Sequence, residues 1–260
     1  MKANRFKQMI AEGRVPVGHM LMEFDTRGVA RMLATAGADF AFIDMEHGSF
    51  SADRAADLIA WLRATHVTPF VRIPEIQYHF IARALDAGAM GIMAPHVDTG
   101  ADARAVVSAA KYPPLGERGL ALNGANSDFE PVNVPEFTAY SNENTTVICL
   151  IESPEALENL EDIASTPGVD VLWLGYADLT LAMGIPGQYH DDRFLSASRR
   201  MVDTARLHGL RAGIQPGNLA QAQEWLPLGF DVISYGLDFS VYTAALSQAV
   251  AAMRGLAAGR

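Results

Sequence analysis

Residues 39–50 read DFAFIDMEHGSF, and the fold turns on how that stretch is understood. Phe40 to Asp44 is a short apolar run of strand length that leads straight into Asp44, Glu46 and His47. Continuous apolar character marks a strand covered on both faces, as in a parallel sheet flanked by helices. Three ionisable groups at the end of such a strand need a reason, because desolvated charge is expensive unless it pairs or binds an ion.

The same pattern recurs along the chain. Apolar runs at 15–20, 39–44, 67–73, 90–95, 146–152, 169–175, 210–215 and 230–236 alternate with helical periodicity near 26–36, 51–65, 76–87, 100–110, 154–165, 192–208, 218–228 and 238–255. Ser153 before Pro154 is a helix start, with a side-chain cap followed by proline in the first helical position. AGADF, AGAMG and LGFDV each place a glycine between a helix and the next strand, where a left-handed residue is wanted. Eight strand–helix repeats imply right-handed βαβ units, and that number favours closure into a (β/α)8 TIM barrel. A doubly wound open sheet is the rival, but no Gly-x-Gly-x-x-Gly or Walker-type loop follows any strand. The 260 residues suit one such domain spanning 1–260. Its one anomaly is a Pro-, Gly- and Asn-rich insert at about 111–146, read either as a functional segment or as a variable surface excursion.

Composition removes several function classes. A net charge of −10 argues against nucleic-acid binding, which needs clustered Lys and Arg. Cys149 is the only cysteine, so no disulfide framework or cysteine-rich zinc site can form, and a reducing, cytoplasmic setting fits. The first twenty residues hold no apolar stretch long enough for a signal peptide or membrane span.

In an α/β barrel the reacting groups stand where strands end. The 39–44 run ends at Asp44, followed by Glu46 and His47; the 67–73 run carries Arg72; the 146–152 run ends at Glu152; and Asp178 follows the 169–175 run. Each has a structural alternative. Asp178 could cap the next helix, Glu152 could complement a helix N-terminus, Arg72 could be an ion-pair partner of Asp44 or Glu46, and His47 could be a hydrogen-bonded structural histidine. Convergence on one rim favours chemistry. Glu152 and Asp178 are hard oxygen ligands suited to Mg²⁺ or Mn²⁺, and less well to Co²⁺. Arg72 could bind an oxygen that becomes negative, and His47, oriented by Asp44, could move a proton. Such a set suits a 2-oxo acid and its enolate. Lysine occurs only at positions 2, 7 and 111, none of them on a strand, which disfavours Schiff-base catalysis and leaves a metal-stabilised enolate.

FIDMEHG, VRIP, YPPLGERG, IESPEALENLEDI and PGVDVLWLGYADLTLAMG, in that order, resemble the class II pyruvate aldolases of the 4-hydroxy-2-oxoheptanedioate aldolase and 2-dehydro-3-deoxyglucarate aldolase family. The resemblance covers about residues 14–245. It implies a barrel with an exchanged C-terminal helix, assembled as a homo-hexamer, a trimer of dimers. It also implies a divalent metal held by Glu152 and Asp178, Arg72 on the enolate oxygen, and His47 with Asp44 as the proton-transfer pair. The backbone of Gly175, Tyr176 and Ala177 would hold the pyruvate carboxylate. The implied reaction is reversible cleavage of a 4-hydroxy-2-oxo acid to pyruvate and an aldehyde. Oxaloacetate-type decarboxylation at the same site and non-catalytic binding of a 2-oxo acid are the alternatives. Three features depart from the family pattern: Tyr176 stands for a proline, where it could reshape the carboxylate pocket or the aldehyde entrance, His96 stands for an apolar residue, and GIQPGN at 213–218 differs from the looser family pattern after the seventh strand.

Overall fold

The computed structural model describes residues 2–258; residues 1, 259 and 260 of the expected domain lie outside the described residues. Eight parallel strands close on themselves in sequence order: β1 (Val17–Leu21), β2 (Phe40–Asp44), β3 (Thr68–Arg72), β4 (Gly91–Ala94), β5 (Thr146–Ile151), β6 (Val171–Leu174), β7 (Arg211–Ile214) and β8 (Val232–Leu237), with β8 pairing back onto β1. The (β/α)8 barrel expected from the eight-fold alternation is the observed fold, and the open-sheet rival is not. Its outer layer is α2 (Gly28–Ala36), α3 (Ala52–Arg63), α4 (Tyr78–Asp86), α5 (Gly100–Ala110), α7 (Pro154–Glu158), α8 (Leu160–Ala164), α10 (Asp192–Leu207) and α11 (Leu219–Trp225). The turn chemistry matches the sequence. Gly37, Gly88 and Gly229 take φ of 85°, 99° and 106°, and Ser153 Oγ accepts the Ala156 N–H at 2.9 Å.

Residues alternate across each strand with a period of two, and that alternation sorts the core into two clusters. Phe40 and Phe42 of β2, Phe70 of β3, Met93 of β4, Ile148 and Leu150 of β5, and Val171 and Trp173 of β6 fill the barrel interior. Ala41 and Ile43, Val71, Ile92, Val147, Cys149, Ile151 and Leu172 pack outward against the helices. Extending the inward set by one step along β2, β3, β5 and β6 reaches Asp44, Arg72, Glu152 and Gly175. Charge at the end of a buried strand is thereby delivered to the axis at the open rim.

The structure departs from the sequence reading in several elements. The single helix expected at 154–165 is two, α7 and α8, because Asn159 leaves the helical region with φ −92° and ψ 10° and its side-chain Nδ2 donates to Asp98 O at 2.9 Å. Helix α1 (Arg5–Ala11), unforeseen in the polar N-terminus, closes the strand-start end of the barrel with Phe6. Its ring meets Phe40 and Phe70 edge-on at centroid distances of 5.4 and 4.9 Å. The 111–146 insert is not structureless: it contains α6 (Val134–Asn144) and is tied to its own chain. Arg118 pairs with Asp86 at 2.6 Å, Arg63 with Asp128 at 2.6 Å, and Gly119 N donates to Tyr78 Oη at 2.8 Å. These contacts lay it along α4, from Tyr78 at the helix start to Asp86 at its end.

Helix α12 (Asp238–Ala258) behaves unlike the others. Past the buried Asp238 it exposes Phe239, Tyr242, Leu246, Val250, Met253 and Leu256. No helix among the described residues is long and apolar enough to cross a membrane. Truncating the aromatic plug, Phe6→Ala, should cost about 3–5 kcal/mol of unfolding free energy. Equilibrium urea denaturation would measure it, and a loss well under 1 kcal/mol would show that α1 does not seal the barrel.

Candidate active site

The rim is built from five consecutive strand ends, β2 to β6. Asp44 and Arg72 are direct neighbours in the β2–β3 register, and both point inward. Arg72 Nε donates to Asp44 Oδ1 at 2.8 Å and Nη2 to Oδ2 at 2.5 Å, a two-pronged ion pair with a fully buried carboxylate. Arg72 Nη1 lies 3.0 Å from Glu46 Oε2, at ion-pair distance but without hydrogen-bond alignment, so this buried oxygen has no hydrogen-bond partner. Burial works against the Arg72 charge, but Asp44 first, then Glu46 and Glu152, outweigh it and hold the guanidinium above its usual range. The ion-pair alternative for Arg72 is thus present in the structure. It fixes the guanidinium plane, and the N–H groups not bonded to Asp44 stay available to a substrate oxygen.

The expected Asp44–His47 dyad takes a different form. Asp44 Oδ1 accepts the backbone N–H groups of Glu46 at 3.0 Å and His47 at 3.4 Å, an Asx-type turn that closes the strand end. With its other lone pairs on Arg72, Asp44 makes no hydrogen bond to the imidazole. It therefore places His47 through the main chain and does not set its tautomer. The His47 side chain is 55% exposed over the rim, with Nε2 3.8 Å from Glu46 Oε2.

Glu152, one residue past β5, is only 4% exposed. Gly175 makes room for it: a Cβ there would lie 2.6 Å from Glu152 Cβ and 2.7 Å from Oε2. Burial pushes the Glu152 carboxyl up to about 7; the His96 backbone N–H and ring oppose the shift, and the charges of Glu46 and Asp178 add to it. Asp178 is exposed in the first turn of α9 (Tyr176–Ala182), which begins after an N-cap, Gly175, that makes no side-chain hydrogen bond. Its charge reaches Glu152, but the cluster whose ligand atoms lie within 4.8 Å of one another is Glu46, His96 and Glu152. These residues fit a cation, since the buried carboxylate of Glu152 and the half-buried one of Glu46 share one small space.

Sequence reasoning did not place His96 in the site. The signal was available, because His96 follows β4 as the other site residues follow their strands, but it registered only as a departure from the family pattern. Tyr176, the first residue of α9, is half-buried. Its ring packs on Trp225 at 4.8 Å and edge-on to Tyr189 at 5.2 Å.

All three lysines lie at the opposite end of the barrel. Lys2 donates to the carbonyls of Arg63 and Thr65, and Lys7 pairs with Asp170 at 2.7 Å. Burial pushes Lys111 down to about 8, a value suggestive of imine chemistry, yet its Nζ donates to Asn142 O at 2.7 Å and Thr145 O at 2.5 Å beside the start of β5.

The raised Glu152 value fixes a sign. The folded chain keeps this proton up to about pH 7, while the unfolded chain releases it near 4.5. The contribution of this carboxyl to stability in the absence of divalent cations is therefore full below 4.5 and is lost as pH rises through this window, by on the order of 3 kcal/mol at most. Denaturation of the metal-free protein across that range should show the decline, and Glu152→Gln should flatten it. An unchanged slope in the variant would assign the effect elsewhere.

Residues 21–245 match the family model described as HpcH/HpaI aldolase/citrate lyase. The chain is 30% identical over 254 residues to a 2-keto-3-deoxy-L-rhamnonate aldolase of Salmonella gallinarum, covering 98% of this chain and 94% of that one. It is 37% identical over 201 residues to a 4-hydroxy-4-methyl-2-oxoglutarate aldolase of Chaetomium globosum, covering 76% and 74%. The crystal structure of an HpcH/HpaI aldolase from Desulfitobacterium hafniense superposes with a TM-score of 0.92 at 28% identity, covering 97% of both chains. A closed barrel, a charged rim and a match over most of its length make this chain a carbon–carbon lyase that belongs to the HpcH/HpaI aldolase/citrate lyase family.

Proposed function

We propose that the chain is a divalent-metal-dependent aldolase that reversibly cleaves a 4-hydroxy-2-oxo acid to pyruvate and an aldehyde. The observation that carries this reading is the polarity of the barrel: carboxylates, Arg72 and two histidines crowd the strand ends, while every lysine lies at the strand starts. Imine catalysis needs a lysine at the rim, and the rim has none. The names of the two aldolase relatives, both acting on substituted 2-oxo acids, support the substrate class.

Glu152 and Asp178 hold the cation, Mg²⁺ or Mn²⁺ by their oxygen donors, or Co²⁺. When bound, it polarises the 2-oxo group and stabilises negative charge on the enolate. Arg72, held rigid by Asp44, donates to the same developing oxyanion, and preorganised donors of this kind act in the transition state at little reorganisation cost. At the turn that Gly175 opens, the backbone N–H groups of Tyr176 and Ala177 receive the substrate carboxylate, since the Gly175 N–H already donates to Ile151 O at 2.9 Å. His47, exposed over the rim, takes the proton from the 4-hydroxyl, directly or through water. The C3–C4 bond then breaks, the aldehyde leaves, and the pyruvate enolate is protonated at C3.

Retro-aldol turnover of a panel of 4-hydroxy-2-oxo acids, followed by coupled pyruvate detection, tests this. Chelation should abolish activity and divalent cations restore it; activity that survives complete metal removal would end the proposal. Arg72→Ala should lower kcat about 10²–10³-fold, the effect of removing one oxyanion donor. Carbon dioxide from oxaloacetate, with no aldehyde released from any 4-hydroxy acid, would decide for the decarboxylase instead.

The reading extends to assembly. Val17, Leu21, Met32, Leu33, Val241 and Tyr242 line an apolar groove of about 450 Å³ between β1, α2 and the root of α12. Beyond it α12 is apolar and unpacked, as expected of a helix covered by other chains. Exchange of α12 between copies of this chain would fill both, within a homo-hexamer. Light scattering should then report six chain masses, and Leu246→Glu with Val250→Glu should yield smaller species. A monodisperse monomer would sink this part of the proposal.

A further inference from the structure

His96 has the most constrained geometry at the rim. It follows β4 in the left-handed region, with φ 51°, which for a residue with a side chain costs energy and persists only where surrounding contacts impose it. The contact that imposes it is with Glu152, whose Oε1 accepts the His96 backbone N–H at 2.8 Å. The turn swings the ring over the same carboxylate. Nδ1 lies 3.2 Å from Glu152 Oε1 and Nε2 lies 3.4 Å from Glu46 Oε1, with the side chain 66% exposed toward the rim.

A neutral imidazole has one N–H and one lone pair, so it can satisfy only one of these carboxylates. If Nε2–H faces Glu46, the Nδ1 lone pair confronts a carboxylate oxygen, and something positive belongs between them. The spacing fits a cation. Two ligands each about 2.1 Å from one ion are about 3.0 Å apart across an octahedral edge and about 3.4 Å apart across a tetrahedral one. The observed 3.2 Å falls between these values. The Glu46 contact also fits, because a metal-bound histidine usually gives its other ring N–H to a carboxylate that fixes its tautomer.

We infer that His96, through Nδ1, is a nitrogen ligand of the divalent cation that Glu152 holds, with Glu46 fixing the ring through Nε2. The inference rests on the metal-dependent reading proposed above and adds to it a donor that hard-oxygen chemistry does not require. An imidazole nitrogen shifts the site's preference away from Mg²⁺ and toward Mn²⁺, Co²⁺ and later transition ions. It also makes His96 a determinant of which metal this chain takes, separate from His47, whose ring stands over the rim for proton transfer.

Mn²⁺ alone is the probe. Full-length protein is stripped with chelator, loaded with one Mn²⁺ per chain and examined by pulsed EPR, which detects nitrogen coupled to the ion without any turnover. Imidazole ¹⁴N modulation is expected in the unsubstituted protein and in His47→Gln, and should disappear in His96→Gln. Direct titration should show His96→Gln weakening Co²⁺ binding about 10-fold or more while Mg²⁺ affinity changes little. Glu46→Gln should keep the nitrogen signal and weaken binding about 10–100-fold, as loss of an outer partner does. Stoichiometric Mn²⁺ without nitrogen modulation, or modulation that survives in His96→Gln, overturns the role of His96 and leaves the metal-dependent reading standing. Failure to bind any of the three ions stoichiometrically overturns both.

Discussion

Two-residue alternation in a closed parallel barrel is the constraint on which everything else here depends. Inward residues cannot be chosen strand by strand, because eight strands share one axis and the space around it must be filled to the density of a packed solid. Phe40, Phe42, Phe70 and Trp173 fill it, and Phe6 closes the end at the strand starts. The same alternation then leaves the next inward positions, Asp44, Arg72, Glu152 and Gly175, at the open end. The candidate active site is in this sense the top layer of the core, written in charged residues.

A layer of charge is stable there only because its members satisfy one another. Asp44 is fully buried and tolerates burial by taking two Arg72 donors and two backbone N–H groups. Glu152 has fewer partners, and its carboxyl holds a proton up to about pH 7. That contrast divides the labour. The saturated carboxylate is scaffold for an arginine, and the undersatisfied one is where an external cation gains most. Gly175 belongs to the same economy of space, since any larger residue would occupy the volume in which the Glu152 carboxylate lies.

Much of this was legible in residue order. Eight apolar runs of strand length, separated by helical periodicity and left-handed glycines, are local signals, and local signals survive the absence of three-dimensional information. Asp44, Arg72 and Glu152 were legible because the barrel topology sends strand ends to one face. Their pairing was less so. Asp44 reads naturally as the partner of His47 three residues on, yet it bonds Arg72, its neighbour across the sheet, because register brings them side by side. The packing of Tyr176 was not legible either, since a position next to the site says nothing of the way its ring turns, and the ring lies against Trp225 and Tyr189.

The sequence by itself determined the barrel, the end of it that carries chemistry and the absence of a lysine from that end, because periodicity and composition are properties of residue order. Only the tertiary structure decided which carboxylate meets which cation, that the 111–146 insert lies along α4, and that His96 joins Glu46 and Glu152. Each of those depends on distances between residues far apart in the chain, set by sheet register and by one backbone turn at φ 51°. The charged end of DFAFID is accordingly two things: Asp44 completes the core's uppermost layer, and Glu46 and His47 stand on the open rim above it.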